Sequence, residues 1–160
     1  LSLGNGKETN EILCRLKGRL YLIRGNHDER YLRDKDFAVS RFEWVRDYAE
    51  IHDNKRKIVL MHYPVFCYNG QFWRGAYGTP MTYMLHGHIH KTEDQVLGDR
   101  FCTETRAMMR KSAHQETAQP VPCQMINCFC MYSDYTPLTL EEWVECDQRR
   151  RGTADQSNTV

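Results

Sequence analysis

Three short apolar runs in this chain each end in a polar turn that carries histidine, and that pattern limits the fold more than anything else in the sequence. Residues 20–23 are apolar and lead through Arg24 into Gly25-Asn26-His27-Asp28. Residues 57–61 lead into His62-Tyr63-Pro64, and residues 81–85 into His86-Gly87-His88-Ile89-His90. Runs of four or five apolar residues bounded by turn signals read as buried strands. Strands separated by helical or loop segments predict an α/β fold, and such sheets bind ligands beyond the carboxyl ends of their strands. Three turns would then deliver side chains to one rim.

The segments between the runs are less sharply written. Ile12, Leu13 and Leu16 give one face of a short helix over 10–17, with Gly18 as its stop. Phe37, Phe42, Trp44, Val45 and Tyr48 predict helical packing within 36–51, and the Gly- and aromatic-rich stretch 67–79 reads as a long loop. Residues 103–119 are polar and predicted helical, and 125–131 read as a strand. Thr139 and Glu142 form the capping-box pattern ahead of a short helix over 140–145. The charged and then small, polar stretch 149–160 is expected to be disordered, leaving one domain over 1–148.

Composition removes several classes of function. Among 160 residues, 22 Lys and Arg against 21 Asp and Glu give a net charge of +1, without the basic excess of a dedicated nucleic-acid surface. No apolar run approaches the roughly 20 residues of a membrane span. Seven cysteines, at 14, 67, 102, 123, 128, 130 and 146, are odd in number and irregular in spacing. With no secretory signal pattern, they read as reduced thiols of a cytoplasmic protein. Cys123, Cys128 and Cys130 could be drawn as a zinc cluster. Cys128 and Cys130 alternate with Phe129 in an apolar run, however, and buried strand thiols account for that pattern.

The turns hold the chemistry. Imidazole is the commonest side-chain metal ligand, and Asn26 and Asp28 add oxygen donors or outer partners. A His, Asn and carboxylate set without sulfur suits Mn, Fe or Zn. In an extended segment His88 and His90 would point to the same side, since strand side chains alternate with period two. His52, His86 and His114 read as surface or packing residues.

Taken in order and spacing, Gly25-Asn26-His27-Asp28, His62-Tyr63-Pro64 and Gly87-His88-Ile89-His90 resemble the calcineurin-like metallophosphoesterases, most nearly their small single-domain bacterial and phage members. The resemblance runs to about Glu145 and takes in the strand at Asn127 and the Tyr135-Thr136-Pro137 turn. It implies a sandwich of β-sheets flanked by helices and a metal-dependent hydrolase of phosphoesters, with diesters slightly favoured over monoesters. It implies two divalent ions, Mn with Fe or Zn as alternatives, roughly 3.5–4 Å apart, which activate water and clamp the phosphate. Asn26, His62 and His88 match ligands of the second metal, and His90 a ligand of the first. His27 matches the histidine that contacts phosphate and protonates the leaving group, and Asp28 the acid that orients it. Arg24 is a further candidate phosphate contact on charge and position alone.

The family pattern also holds an N-terminal Asp-x-His and a Gly-Asp whose aspartate bridges both metals, and neither occurs ahead of Gly25. Leu1-Ser2-Leu3-Gly4-Asn5 resembles the segment that follows the Gly-Asp, so the expectation is a sheet lacking its first strand and an impaired two-metal site. The alternative is a non-catalytic member that binds one metal or a partner protein. The expected ligand is a phosphoester, with a nucleotide as one candidate because Tyr68, Phe72, Trp73 or Tyr77 could stack a base.

Overall fold

The computed structural model describes residues 1–111, 113 and 116–157. His114 lies outside the described residues. The chain is mixed α/β and divides into two compact units, Leu1–Ala49 and Glu50–Val160.

In the first unit the helix starts earlier than the apolar spacing predicts. Helix α1 spans Gly6–Leu13 because Asn5 and Glu8 form a reciprocal capping box: the Asn5 side chain accepts from the Glu8 N–H, and Glu8 accepts from the Asn5 N–H. Gly6 is needed there, since its N–H donates to Asp34 at 2.8 Å and a Cβ would stand 2.6 Å from the Asp34 carboxyl carbon. Strand β1 (Leu20–Ile23) forms where expected. The short helix α2 (Glu29–Leu32) and a 3-10 turn at Val39–Arg41 then lead to β2 (Phe42–Arg46), which pairs parallel with β1. No α-helix forms within 36–51. Phe42 and Trp44 sit two apart on a strand, and β-prone aromatic residues override the helical spacing. Leu13, Tyr31 and Phe37 make the core, with Leu20, Leu22, Leu32 and Phe42 around them, and the Tyr31 and Phe37 rings meet edge-on at 4.7 Å.

The second unit is built on a four-stranded sheet of order β3-β4-β5-β8: β3 (Tyr48–Asp53), β4 (Arg56–Met61), β5 (Thr82–His86) and β8 (Met125–Asn127). Asn54 and Lys55, both at positive φ, close the two-residue β3–β4 hairpin. Strands β4, β5 and β8 run parallel. A parallel sheet is covered on both faces, and here the coverage differs by face. Val59, Met84 and Met125 pack with Cys102 of helix α3 (Glu93–Ala107) and with Tyr68, Val121 and Cys123. Ile58, Tyr83 and Ile126 pack with Leu140, Trp143 and Val144 of helix α4 (Leu140–Ser157). Between α3 and β8 lies a two-stranded antiparallel pair, β6 (Met109–Arg110) with β7 (Gln119–Pro120). The helix expected over 103–119 is therefore displaced towards the N-terminus and ends at Ala107. Strand β8 stops at Asn127 rather than running to Met131, because the Asn127 side-chain oxygen takes the Phe129 N–H and turns the backbone into a 3-10 segment, Cys130–Ser133.

Helix α4 begins at the expected capping box, with Thr139 and Glu142 bonded in both directions. It does not end at 145, and the stretch expected to be disordered from 149 is helical to Ser157. Arg150 and Arg151 supply the reason. Both pair with Asp147 on the same helix and with Asp99 on α3, and Arg151 also donates to the Met125 carbonyl. Residues 158–160 lie outside the described residues. No helix among the described residues is long and apolar enough to cross a membrane.

Candidate functional site

The histidine turns of the second unit follow from its strand register. Leu60 of β4 lies opposite Leu85 of β5 in a parallel pair, so both strands end at the same rim. The Gly87 N–H donates to the His62 carbonyl at 3.0 Å and ties the two turns together. The His62 and His88 rings then stand 5.1 Å apart at 68°, with Tyr63 edge-on to both, 5.1 Å from His62 and 4.5 Å from His88. His86, the last residue of β5, is buried in the sheet with Nδ1 against the Gly87 carbonyl. Burial holds its pKa below the ordinary imidazole value and keeps it neutral.

The segment after His86 is a turn, not an extended strand. His88 and His90 both take left-handed backbone, with φ of 64° and 47°. Non-glycine residues there cost about 1–3 kcal/mol each and persist only where neighbours fix them. Four contacts do so. Ile89 is buried, Thr92 Oγ1 donates to the Ile89 carbonyl at 2.6 Å, Asn127 Nδ2 donates to the His90 carbonyl at 2.9 Å, and the Ile89 N–H donates to the Gly87 carbonyl at 2.8 Å. The turn gives the two rings different neighbours. His88 faces His62 and Tyr63, while His90 stacks on Phe129 at 4.6 Å and 18°. The period-two argument for His88 and His90 therefore fails, because it requires extended backbone.

Behind the rim lies a polar relay that the apolar pattern did not single out. Asn127, only 2% exposed, donates to both His90 and the Gln95 side chain; Gln95 donates to Asp99, and Asp99 receives Arg150 and Arg151. The available signal is that Asn127 is the one polar side chain inside the otherwise apolar stretch 125–131.

In the first unit, Gly25-Asn26-His27-Asp28 follows β1 as a turn, with Asn26 and His27 exposed and Asp28 buried. Asp28 accepts from the Gly25 N–H at 2.7 Å, and no hydrogen bond joins it to His27 among the described residues. Burial pushes the carboxyl up, but hydrogen-bond donors, the Gly25 N–H among them, outweigh it and hold its pKa below the usual range. Arg24 is engaged in a two-point ion pair with Asp47, at 2.6 and 2.8 Å.

Two imidazoles at this separation and angle suit the nitrogen share of a divalent-metal sphere, which needs further ligands. Among the described residues no three His, Cys, Asp or Glu side chains converge into a metal-holding group. Of the cysteines drawn as a zinc cluster, Cys123 is buried, Cys128 half-buried and Cys130 exposed. No family model, curated protein or solved structure matches the chain.

Proposed function

We propose that the chain is a calcineurin-like, metal-dependent phosphoester hydrolase, on the strength of one observation above the rest: His62 and His88 face each other across the carboxyl ends of adjacent parallel strands. The motif order Gly25-Asn26-His27-Asp28, His62, His88, His90 supports the same reading. A bound divalent ion would supply Lewis-acid polarisation of the phosphoryl oxygens. His62 and His88 would hold it through ring nitrogens, and the motif order assigns His90 to a second ion. His27, exposed on its turn, would pass a proton to the leaving alkoxide. Asp28, kept anionic, holds the turn through the Gly25 N–H and so acts on the backbone that carries Asn26 and His27.

The test pairs Mn²⁺ binding by calorimetry with turnover of a chromogenic phosphodiester. The reading expects Mn²⁺-dependent turnover, and expects His88→Ala to abolish it and to weaken Mn²⁺ binding by at least about tenfold, the lower end for disturbing a ligand shell. Saturable binding of one Mn²⁺ with no turnover of mono- or diester would move the assignment to a non-catalytic metal-binding member. Unchanged binding in His88→Ala overturns both.

A further inference from the structure

The aromatic loop of the second unit carries one ring that the fold does not use. Tyr68 is buried, with its hydroxyl bonded to the Gln124 backbone. The face of Phe72 is covered by the Arg110 guanidinium at 3.7 Å, and that of Trp73 by Lys57 Nζ at 4.6 Å. Tyr77 is different. It is 104% exposed and makes no ring, cation or side-chain hydrogen-bond contact among the described residues.

Its backbone sharpens the contrast. Residues 73–81 form a tight hairpin, with Gly75 N–H to the Thr79 carbonyl at 2.8 Å and Met81 N–H to the Trp73 carbonyl at 3.1 Å. Tyr77 (φ 58°, ψ 22°) and Gly78 (φ 78°) are its two central residues, so the turn is of type I′. That turn prefers Asn-Gly, and a bulky residue at positive φ is an outlier. A tyrosine here serves neither the turn nor the core.

Beside it lie two hollows of about 520 and 430 Å³ that share Arg74, Tyr77, Gly78 and Gln119 as walls, a size range usual for small-molecule sites. Arg74 is half-buried and has no ion-pair partner among the described residues. Arg106 lines one hollow, with its Nε spent on the Cys123 carbonyl, and Glu116 lines the other.

We propose that this hairpin is a binding site for a nucleoside 5′-monophosphate, with the base stacked on Tyr77 and the phosphate against Arg74. A flat ring matches the open tyrosine face, an anion matches a guanidinium that makes no ion pair among the described residues, and the Glu116 carboxylate can accept from an amino group on the base. The site stands on its own residues, at the amino end of β5 and so away from the His62 and His88 rim at its carboxyl end.

AMP is the probe, titrated by calorimetry into the chain with a chelator present, so that binding at the hairpin is read without any metal. AMP should bind saturably, and ribose 5-phosphate at least about tenfold more weakly, because it lacks the base. Arg74→Gln and Tyr77→Asn should each weaken AMP about tenfold or more. Tyr77→Asn should leave the melting temperature unchanged or raised, since Asn-Gly suits the turn, so lost binding cannot be lost folding. No saturable AMP binding, equal binding of ribose 5-phosphate, or unaltered AMP affinity in Tyr77→Asn would each overturn the site. A chromogenic diester without a nucleobase separates the two proposals: its turnover reports on the hydrolase reading alone.

Discussion

The histidine turn of the first unit and those of the second are written alike in sequence and are held very differently. Gly25–Asp28 follows a strand with a single parallel partner, and Asp28 is the buried side chain that holds it. The His62 and His88 turns crown the middle strands of a four-stranded sheet covered by helices on both faces. A side-chain relay from Asn127 through Gln95 to Asp99 and the α4 arginines backs the His90 carbonyl. A positive-φ backbone is tolerated in the second because many contacts over-determine it. The difference separates two ways of presenting imidazole: one ring exposed on a lightly anchored turn, and others whose backbone is fixed from behind.

The contrast should show first in the relay. Asn127→Leu keeps the size of the side chain and deletes its three hydrogen bonds, leaving the Gln95 side-chain oxygen, the His90 carbonyl and the Phe129 N–H without that partner. Each buried group stranded in this way costs about 1–3 kcal/mol. The variant should therefore lose about 4 kcal/mol in urea unfolding and bind Mn²⁺ more weakly. A loss below about 1 kcal/mol would mean that the rim does not depend on the relay.

A smaller effect should appear at acid pH. Burial pushes the Asp99 carboxyl up, but Arg150, Arg151 and the Gln95 amide outweigh it and hold its pKa below the ordinary carboxylate value. An acid depressed in the folded state stabilises while ionised. That contribution is complete above the unfolded pKa of about 3.9 and is lost as pH falls through the folded value. Asp99→Asn should cost about 2 kcal/mol at neutral pH, below the figure for a fully buried pair because the side chain is a quarter exposed. The gap between the two proteins should close in the acid limb below about pH 4. A gap independent of pH would remove the ion pairs as its cause.

What the sequence made legible follows from how far each cause lies along the chain. β1 and β4 could be read because an apolar run and its terminating turn are local. The Thr139–Glu142 box is equally local, and so is the Asn5–Glu8 box, which sets the start of α1 against the later apolar spacing of Ile12, Leu13 and Leu16. The helical run past 145 could not be read, since the partner that orders Arg150 is Asp99 on another helix, 51 residues away. For the site, the histidine-bearing strand ends were legible, but the pairing of His88 with His62 rather than with His90 was not. That choice is made by two left-handed residues, and neither histidine advertises such backbone as glycine would.

His27 should give the smallest stability effect and the sharpest separation of stability from function. Its ring is exposed and makes no side-chain hydrogen bond among the described residues, while the adjacent Asp28 bonds to Gly25. His27→Ala should change unfolding free energy by no more than about 0.5 kcal/mol. If His27 protonates the leaving group, the same change should lower phosphoester turnover by about 10²–10⁴-fold. The loss should be smaller for esters of acidic phenols, whose leaving groups need no proton, and Mn²⁺ affinity should stay as it was. Equal losses for acidic and poor leaving groups would reassign His27 to phosphate binding. A large loss of stability would show instead that the first turn is held by its histidine after all, and would erase the difference between the two turns.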